Sequence, residues 1–143
     1  MLPALFKLPL PKANVSDSNK SKADKITWGR LAGSSKALAI AEAAFHSNNV
    51  IIIIAENTPS AHRLETEISS LLPKATHPVF TFPDWEILPY DTFSPHQDII
   101  SQRLQTLYEL PNMQKGVVIV PISTLMHYTA PTAFIMGNSF IFA

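Results

Sequence analysis

Phe82-Pro83-Asp84-Trp85-Glu86-Ile87-Leu88-Pro89-Tyr90-Asp91-Thr92-Phe93-Ser94-Pro95-His96-Gln97-Asp98-Ile99-Ile100 joins an extended run, Val79 to Phe82, to a helix. Most connections in a compact domain take about 4–6 residues, and a longer one is functional or held by its own packing. Prolines, aromatics and acids are too specifically ordered here for a generic linker. Ser94-Pro95-His96-Gln97 has the form of a capping box, Ser94 accepting from the backbone of Gln97 while the Gln97 side chain reaches back. Ile100, Leu104, Leu107 and Tyr108 then supply the core face of the helix. Asp98 sits in its first turn, where the positive end of the helix dipole favours an acid.

Outward from this stretch the chain alternates between two periodicities. Lys36 to His46 reads as a helix with Leu38, Ile40, Ala41, Ala44 and Phe45 on its apolar face, ended by Asn48-Asn49. Val50 to Ala55 holds four consecutive isoleucines, the pattern of a strand buried on both faces. Thr58-Pro59 opens the next helix, threonine as N-cap and proline in the first turn. Leu64, Ile68, Leu71 and Leu72 are its buried stripe, and Pro73 stops it. Gly116 to Val120 is another apolar strand, Ile122 to His127 a short helical turn, and Asn138 to Ala143 the start of a further strand. Strands alternating with helices predict an α/β fold with a mostly parallel sheet covered by helices.

The expected organisation is an N-terminal arm and linker over 1–25, an α/β domain over 26–137, and the start of a next domain over 138–143. Asn14 to Lys25 is rich in Ser, Asn, Lys and Asp without periodicity, which suits a connector. The final apolar run, Phe140-Ile141-Phe142-Ala143, has no element to cover it, so the chain is expected to be a fragment of something longer.

Composition narrows the function classes. With 143 residues, 46% of them hydrophobic, one domain can bury a core. Eleven basic residues match eleven acidic ones, so no net field draws the chain to nucleic acid or an anionic membrane. The one basic cluster, Lys12, Lys20, Lys22 and Lys25, is diluted by Asp17 and Asp24 and has no aromatic partner, which reads as a solvated linker. Single-strand DNA binding would require a strong salt dependence that a neutral chain does not predict. The chain has no cysteine, hence no disulfide framework and no thiolate metal site, which fits a cytoplasmic protein. No two of its histidines show the i, i+4 spacing of a metal pair. Prolines interrupt the apolar N-terminus, which rules against a signal peptide. Val50 to Ala55 is far shorter than the roughly 20 residues of a membrane span.

Arg30-Leu31-Ala32-Gly33-Ser34-Ser35-Lys36-Ala37 lies where a phosphate-binding loop would open the first helix of such a fold. A working loop needs glycines so that backbone N–H groups can wrap phosphates, a lysine for the terminal phosphates and a hydroxyl for magnesium. Only Lys36 meets these needs. Arg30 takes the first glycine position, Ser35 the second, and Ala37 replaces the hydroxyl. Gly33 and Lys36 are therefore read as vestigial, Gly33 as a turn glycine and Lys36 as a solvated helix-start residue. Glu56, ending the isoleucine strand, imitates a metal-holding acid but follows the wrong helix, and Val120-Pro121 carries no acid at all.

The signature residues Asp84, Trp85, Pro89, Tyr90, Asp91, Ser94, Pro95 and Arg103 resemble the N-terminal UvrB-like module of the bacterial transcription-repair coupling factor, Mfd. The resemblance continues through Thr106-Leu107-Tyr108, Leu110-Pro111, Gly116 to Pro121 and Thr124-Leu125-Met126, and covers the first eighty residues only in outline. It implies a degenerate, P-loop-NTPase-like helicase fold without ATPase activity. It also implies a module that recruits UvrA to stalled RNA polymerase in nucleotide excision repair and restrains the motor. By the same resemblance ATP and magnesium bind elsewhere in the full-length protein, as do DNA and RNA polymerase, and UvrA contacts the following domain. In UvrB the corresponding region is longer and includes a DNA-engaging hairpin, for which Tyr90 to Ile99 is too short.

Asp84, Glu86, Asp91 and Asp98 lack a nucleophile or metal-ligand set, so turn and cap roles are expected of them rather than acid–base catalysis. Trp85 and Tyr90 have the chemistry of a partner-binding hot spot, yet the surrounding prolines favour packing of the loop on its own sheet. The competing reading is a nucleotide-dependent enzyme with an unusual phosphate loop.

Overall fold

The computed structural model describes residues 27–87, 92 and 94–138. The arm and linker over 1–25, and Leu88, Pro89, Tyr90, Asp91 and Phe93 of the signature stretch, lie outside them. Helix α1 spans Ser35–His46, strand β1 Val50–Ala55, helix α2 Thr58–Leu71 and strand β2 Val79–Thr81. Helix α3 follows at Gln97–Glu109 with a 3-10 turn at Leu110–Asn112, then strand β3 at Gly116–Pro121 and helices α4, Ile122–Leu125, and α5, Thr132–Asn138. The three strands form one parallel sheet in the order β1-β3-β2, an α/β architecture flanked by helices.

The position of each helix follows from crossover handedness. From β1 to β2 the chain steps past the place that β3 will take, and from β2 to β3 it steps back. Right-handed crossovers then require α2 and α3 to lie on opposite faces. Two separate cores are the result. On one face, Ala37, Ala41 and Ala44 of α1 and Ala61, Ile68 and Leu72 from α2 and its end bury Val117 and Ile119 of β3. The alanines of α1 have no bulk to hold the helix away from its neighbours, so larger Ile40 and Phe45 pack only at the margin. On the other face, Phe82, Val118 and Val120 are covered by Leu107, Leu110 and Met113. The central strand β3 is buried along its whole length, and its start requires glycine. Gly116 has φ +137°, and a Cβ there would lie 2.5 Å from the carbonyl oxygen of Pro78.

Five sequence readings change, one of them at Asn138, read as the start of a strand but the last residue of helix α5. β1 is an edge strand and is not buried on both faces: Ile51 and Ile53 pack into the first core, whereas Ile52 and Ile54 are 60% and 56% exposed. The second core sits over β2 and β3 and reaches β1 only at Val50, so four isoleucines in a row meet two different environments. On α3 the buried side chains are Arg103 and Thr106, with Leu107 packed on the second core and Leu104 exposed. The helix therefore turns two polar residues toward the end of β2, where carbonyl oxygens need donors. Thr58 is the first helical residue of α2 and not its cap. Asn57, extended at φ −156° and ψ 172°, accepts from the Ser60 amide at 2.9 Å. Finally, Ser94 does not cap α3. The helix starts at Gln97 because His96 is still extended at ψ 138°, and its ring Nδ1 accepts from the Asp98 amide at 3.3 Å. Asp98 does occupy the first turn, and Asn138 closes α5; 139–143 lie outside the described residues.

Asn57→Ala removes the acceptor for an orphan amide and is expected to cost about 0.5–2 kcal/mol of stability in a urea titration. Ser94→Ala, at an exposed position before the helix, is expected to stay within about 0.5 kcal/mol of the parent.

Candidate functional site

In a parallel sheet, ligands and partners meet the connections leaving the C-terminal ends of the strands. Two features occupy that edge here. The first is an open cavity of about 680 Å³ between the loop before α1, the end of β1 and the start of α2. Arg30, Lys36, Glu56 and Ser60 line it with Trp28 and Ile54. The backbone of this loop enters the left-handed region twice: Gly33 has φ +58° and Arg30 has φ +60°. Arg30 thus holds, with a side chain, a conformation that glycine adopts without steric penalty, at the place where a phosphate loop carries its first glycine.

Both serines of this loop bond within the chain. The Ser35 hydroxyl donates to the Ala32 carbonyl at 2.6 Å, and the Ser35 amide reaches the same oxygen at 3.2 Å. The Ser34 hydroxyl donates to Glu67 Oε1 at 3.3 Å, and the Ser34 carbonyl accepts from Leu38. An amide turned onto its own loop does not point at a phosphate. Lys36 is exposed in the first turn of α1, as expected of a solvated helix-start residue, and Gly33 is in a turn. Among the described residues no three His, Cys, Asp or Glu side chains converge as a metal site.

The second feature gathers the described part of the signature stretch. Phe82 and Trp85 place their rings on either side of the Arg103 guanidinium, whose carbon lies 4.0 Å and 4.1 Å from the two centroids. Arg103 is 3% exposed, and its Nη1 donates to the Pro83 carbonyl. Burial lowers the pKa of this guanidinium, and the neighbouring Asp84 charge works the other way. A guanidinium this far above neutrality remains charged, so a cation is buried between two aromatic faces. Thr106, one turn further along α3, donates its hydroxyl to Gln102 at 2.9 Å and approaches the Thr81 carbonyl at 3.4 Å.

Asp84 closes the arrangement. One carboxylate oxygen accepts from the Trp85 amide at 2.8 Å, and the other from the Ser123 hydroxyl at 2.6 Å. His127 Nδ1 lies 3.7 Å from Oδ1. The next residues leave regular geometry: Glu86 has φ +58° and is exposed.

The structure therefore brings Asp84, Trp85 and Arg103 into one cluster, while Lys36 lies at the cavity and Gly33 in the turn before α1. Ser94 and Pro95 belong to the approach to α3, and Pro89, Tyr90 and Asp91 fall outside the described residues. Sequence reasoning missed Phe82, Thr106, Ser123 and His127. Arginine three residues before threonine on a helix facing a strand end is the one local signal for part of this set. Ser123 and His127 are 39 and 43 positions from Asp84, so only the fold unites them with it.

No family model matches the chain. It is 46% identical over 79% of its length to the transcription-repair-coupling factor of Escherichia coli, and 44% identical over 77% to that of Haemophilus influenzae. The factor of Staphylococcus aureus is 28% identical over 71% of the chain. The matched segment spans about a tenth of these relatives, 10%, 9% and 8% in turn.

Replacing Arg103 by alanine removes two ring contacts and a buried hydrogen bond and takes a positive charge from the neighbourhood of Asp84. The expected loss is about 2–4 kcal/mol, discounted because Asp84 is partly solvated. Arg103→Lys keeps the charge but not the plane, and is expected to recover less than half of that loss when the urea midpoints are compared.

Proposed function

The chain belongs to the transcription-repair-coupling factor family, and from that premise we propose that it forms the first, non-catalytic domain of a UvrB-like module in such a factor. The observation that carries this reading is the 46% identity over most of the chain, supported by a loop before α1 that has Arg30, Ser35 and Ala37 where a phosphate loop needs glycines and a hydroxyl. The domain runs over 26–137, preceded by an arm and followed by the start of the next domain. In the proposed role it supplies a scaffold, and the complete module recruits UvrA to a stalled RNA polymerase in DNA repair and restrains the motor. ATP and magnesium are bound by the motor domains and not by this segment. The site of action is the cytoplasm, and no helix among the described residues is long and apolar enough to cross a membrane.

Two features support a scaffold role. Ile52 and Ile54 form an exposed apolar strip on an edge strand, which suits a domain that packs against further chain of its own polypeptide. The amide and hydroxyl of Ser35 are turned onto the loop, leaving Lys36 without the backbone cradle that phosphate binding uses. The second reading, a nucleotide-dependent enzyme, rests on the cavity that holds both Lys36 and Glu56.

Titration with magnesium-ATP separates the two readings. Calorimetry is expected to give no saturable heat. A micromolar Kd that weakens on Lys36→Ala would establish the enzyme reading in place of ours.

The recruiting role is tested by a pull-down at physiological salt, comparing the chain of 143 residues with one extended through the following domain. The extended protein is expected to capture UvrA and the shorter one not. Equal, saturable capture by both would move the recruiting surface into the residues described above, with Trp85 as the first position to change.

A further inference from the structure

The connections that leave β2 and β3 are far apart in sequence and adjacent at one edge of the sheet. Each is tied to the body of the domain by its own interactions. The segment after β2 is held from below by Arg103, through its two rings and the Pro83 carbonyl. The segment after β3 is held by the short helix α4, where Met126 and His127 amides bond back to Ser123 and Thr124 and Thr124 is buried. Among the described side chains of these two connections, Asp84 is the one that bonds to both. We propose that its carboxylate is a latch that makes the two connections order and loosen together, so that displacement of the segment after β3 reaches the signature segment after β2.

Three groups face this carboxylate besides its own backbone neighbour. Arg103 comes from α3 and lends a buried positive charge, Ser123 comes from α4 as a 2.6 Å donor, and His127 comes from the turn beyond α4. A carboxylate acceptor makes the hydroxyl bond of Ser123 stronger than a bond between two neutral groups would be. The bond also closes a loop of 39 residues that includes all of α3 and β3, so its loss frees a long-range constraint and not a local turn. Coupling of this kind is reciprocal: whatever loosens one connection loosens the other.

Ser123 is exposed and its own backbone lies in a helical turn, so the hydroxyl can be removed without opening a cavity. Hydrogen–deuterium exchange followed by mass spectrometry reads both connections at once. In Ser123→Ala, peptides covering 83–87 are expected to exchange about tenfold faster, together with those covering 122–127, as loss of a hydrogen bond to a charged group implies. Peptides from β1 and α2 are expected to keep the parent rate. Asp84→Ala is expected to loosen 122–127 in return, and Ser123→Thr, which restores the hydroxyl, to recover the parent pattern. Acceleration confined to 122–127 in Ser123→Ala would overturn the latch. So would equal acceleration across β1 and α2, which marks general destabilisation instead.

Discussion

A cation buried between two aromatic faces organises the C-terminal edge of this domain. Guanidinium is costly to remove from water unless its planes and its N–H groups are both used. Arg103 meets that condition only if Phe82 and Trp85 stand on either side of it and the Pro83 carbonyl points inward. Each requirement fixes a residue of the segment after β2. The long connection therefore begins as a well-defined piece of structure although it has no regular hydrogen-bond ladder. Asp84, bonded to the Trp85 amide and to the Ser123 hydroxyl, carries that definition across to the end of β3.

The sheet provides the frame in which this can happen. Because β3 is inserted between β1 and β2, α3 must cross on the face opposite α1 and α2, which puts Arg103 and Thr106 beneath the end of β2. The same geometry leaves Ile52 and Ile54 uncovered, since the core on the α3 face reaches β1 only at its first residue, Val50. Coverage of the signature segment and exposure of the β1 strip are thus two consequences of one strand order.

Much of the fold was legible in the sequence, because apolar periodicity reports burial directly. The helices at α1 and α2, the strands β1, β2 and β3 and the stop at Pro73 appear where the pattern puts them. The errors have physical causes. A run of isoleucines states that a strand avoids water, but not whether this segment contains the elements that exclude it. Caps are decided by which side chain reaches an amide. Asn57 does so from an extended backbone one residue earlier than Thr58, and His96 does so where Ser94 was expected. On α3 an apolar stripe was assumed where Arg103 and Thr106 are the buried pair. Pattern reading counts an arginine as solvent-facing, and only the rings and carbonyls assembled by the fold reverse that assignment.

The loop before α1 shows how a left-handed turn can be held where the residue is not glycine. A left-handed residue disfavours any side chain by about 1–2 kcal/mol, so glycine is the unstrained occupant at both Arg30 and Gly33. The chain keeps the turn at both positions, with φ +60° and +58°, although only one is still glycine. A turn that survives the loss of its preferred residue is held by its surroundings: by Ser35 bonding back to Ala32, by Ser34 reaching Glu67 on α2, and by an alanine-lined α1 fixed against the sheet. The helix start has therefore become a structural joint. The interactions that now stabilise it use the hydroxyl and amide of Ser35, where a phosphate-binding loop has glycine and a free N–H group.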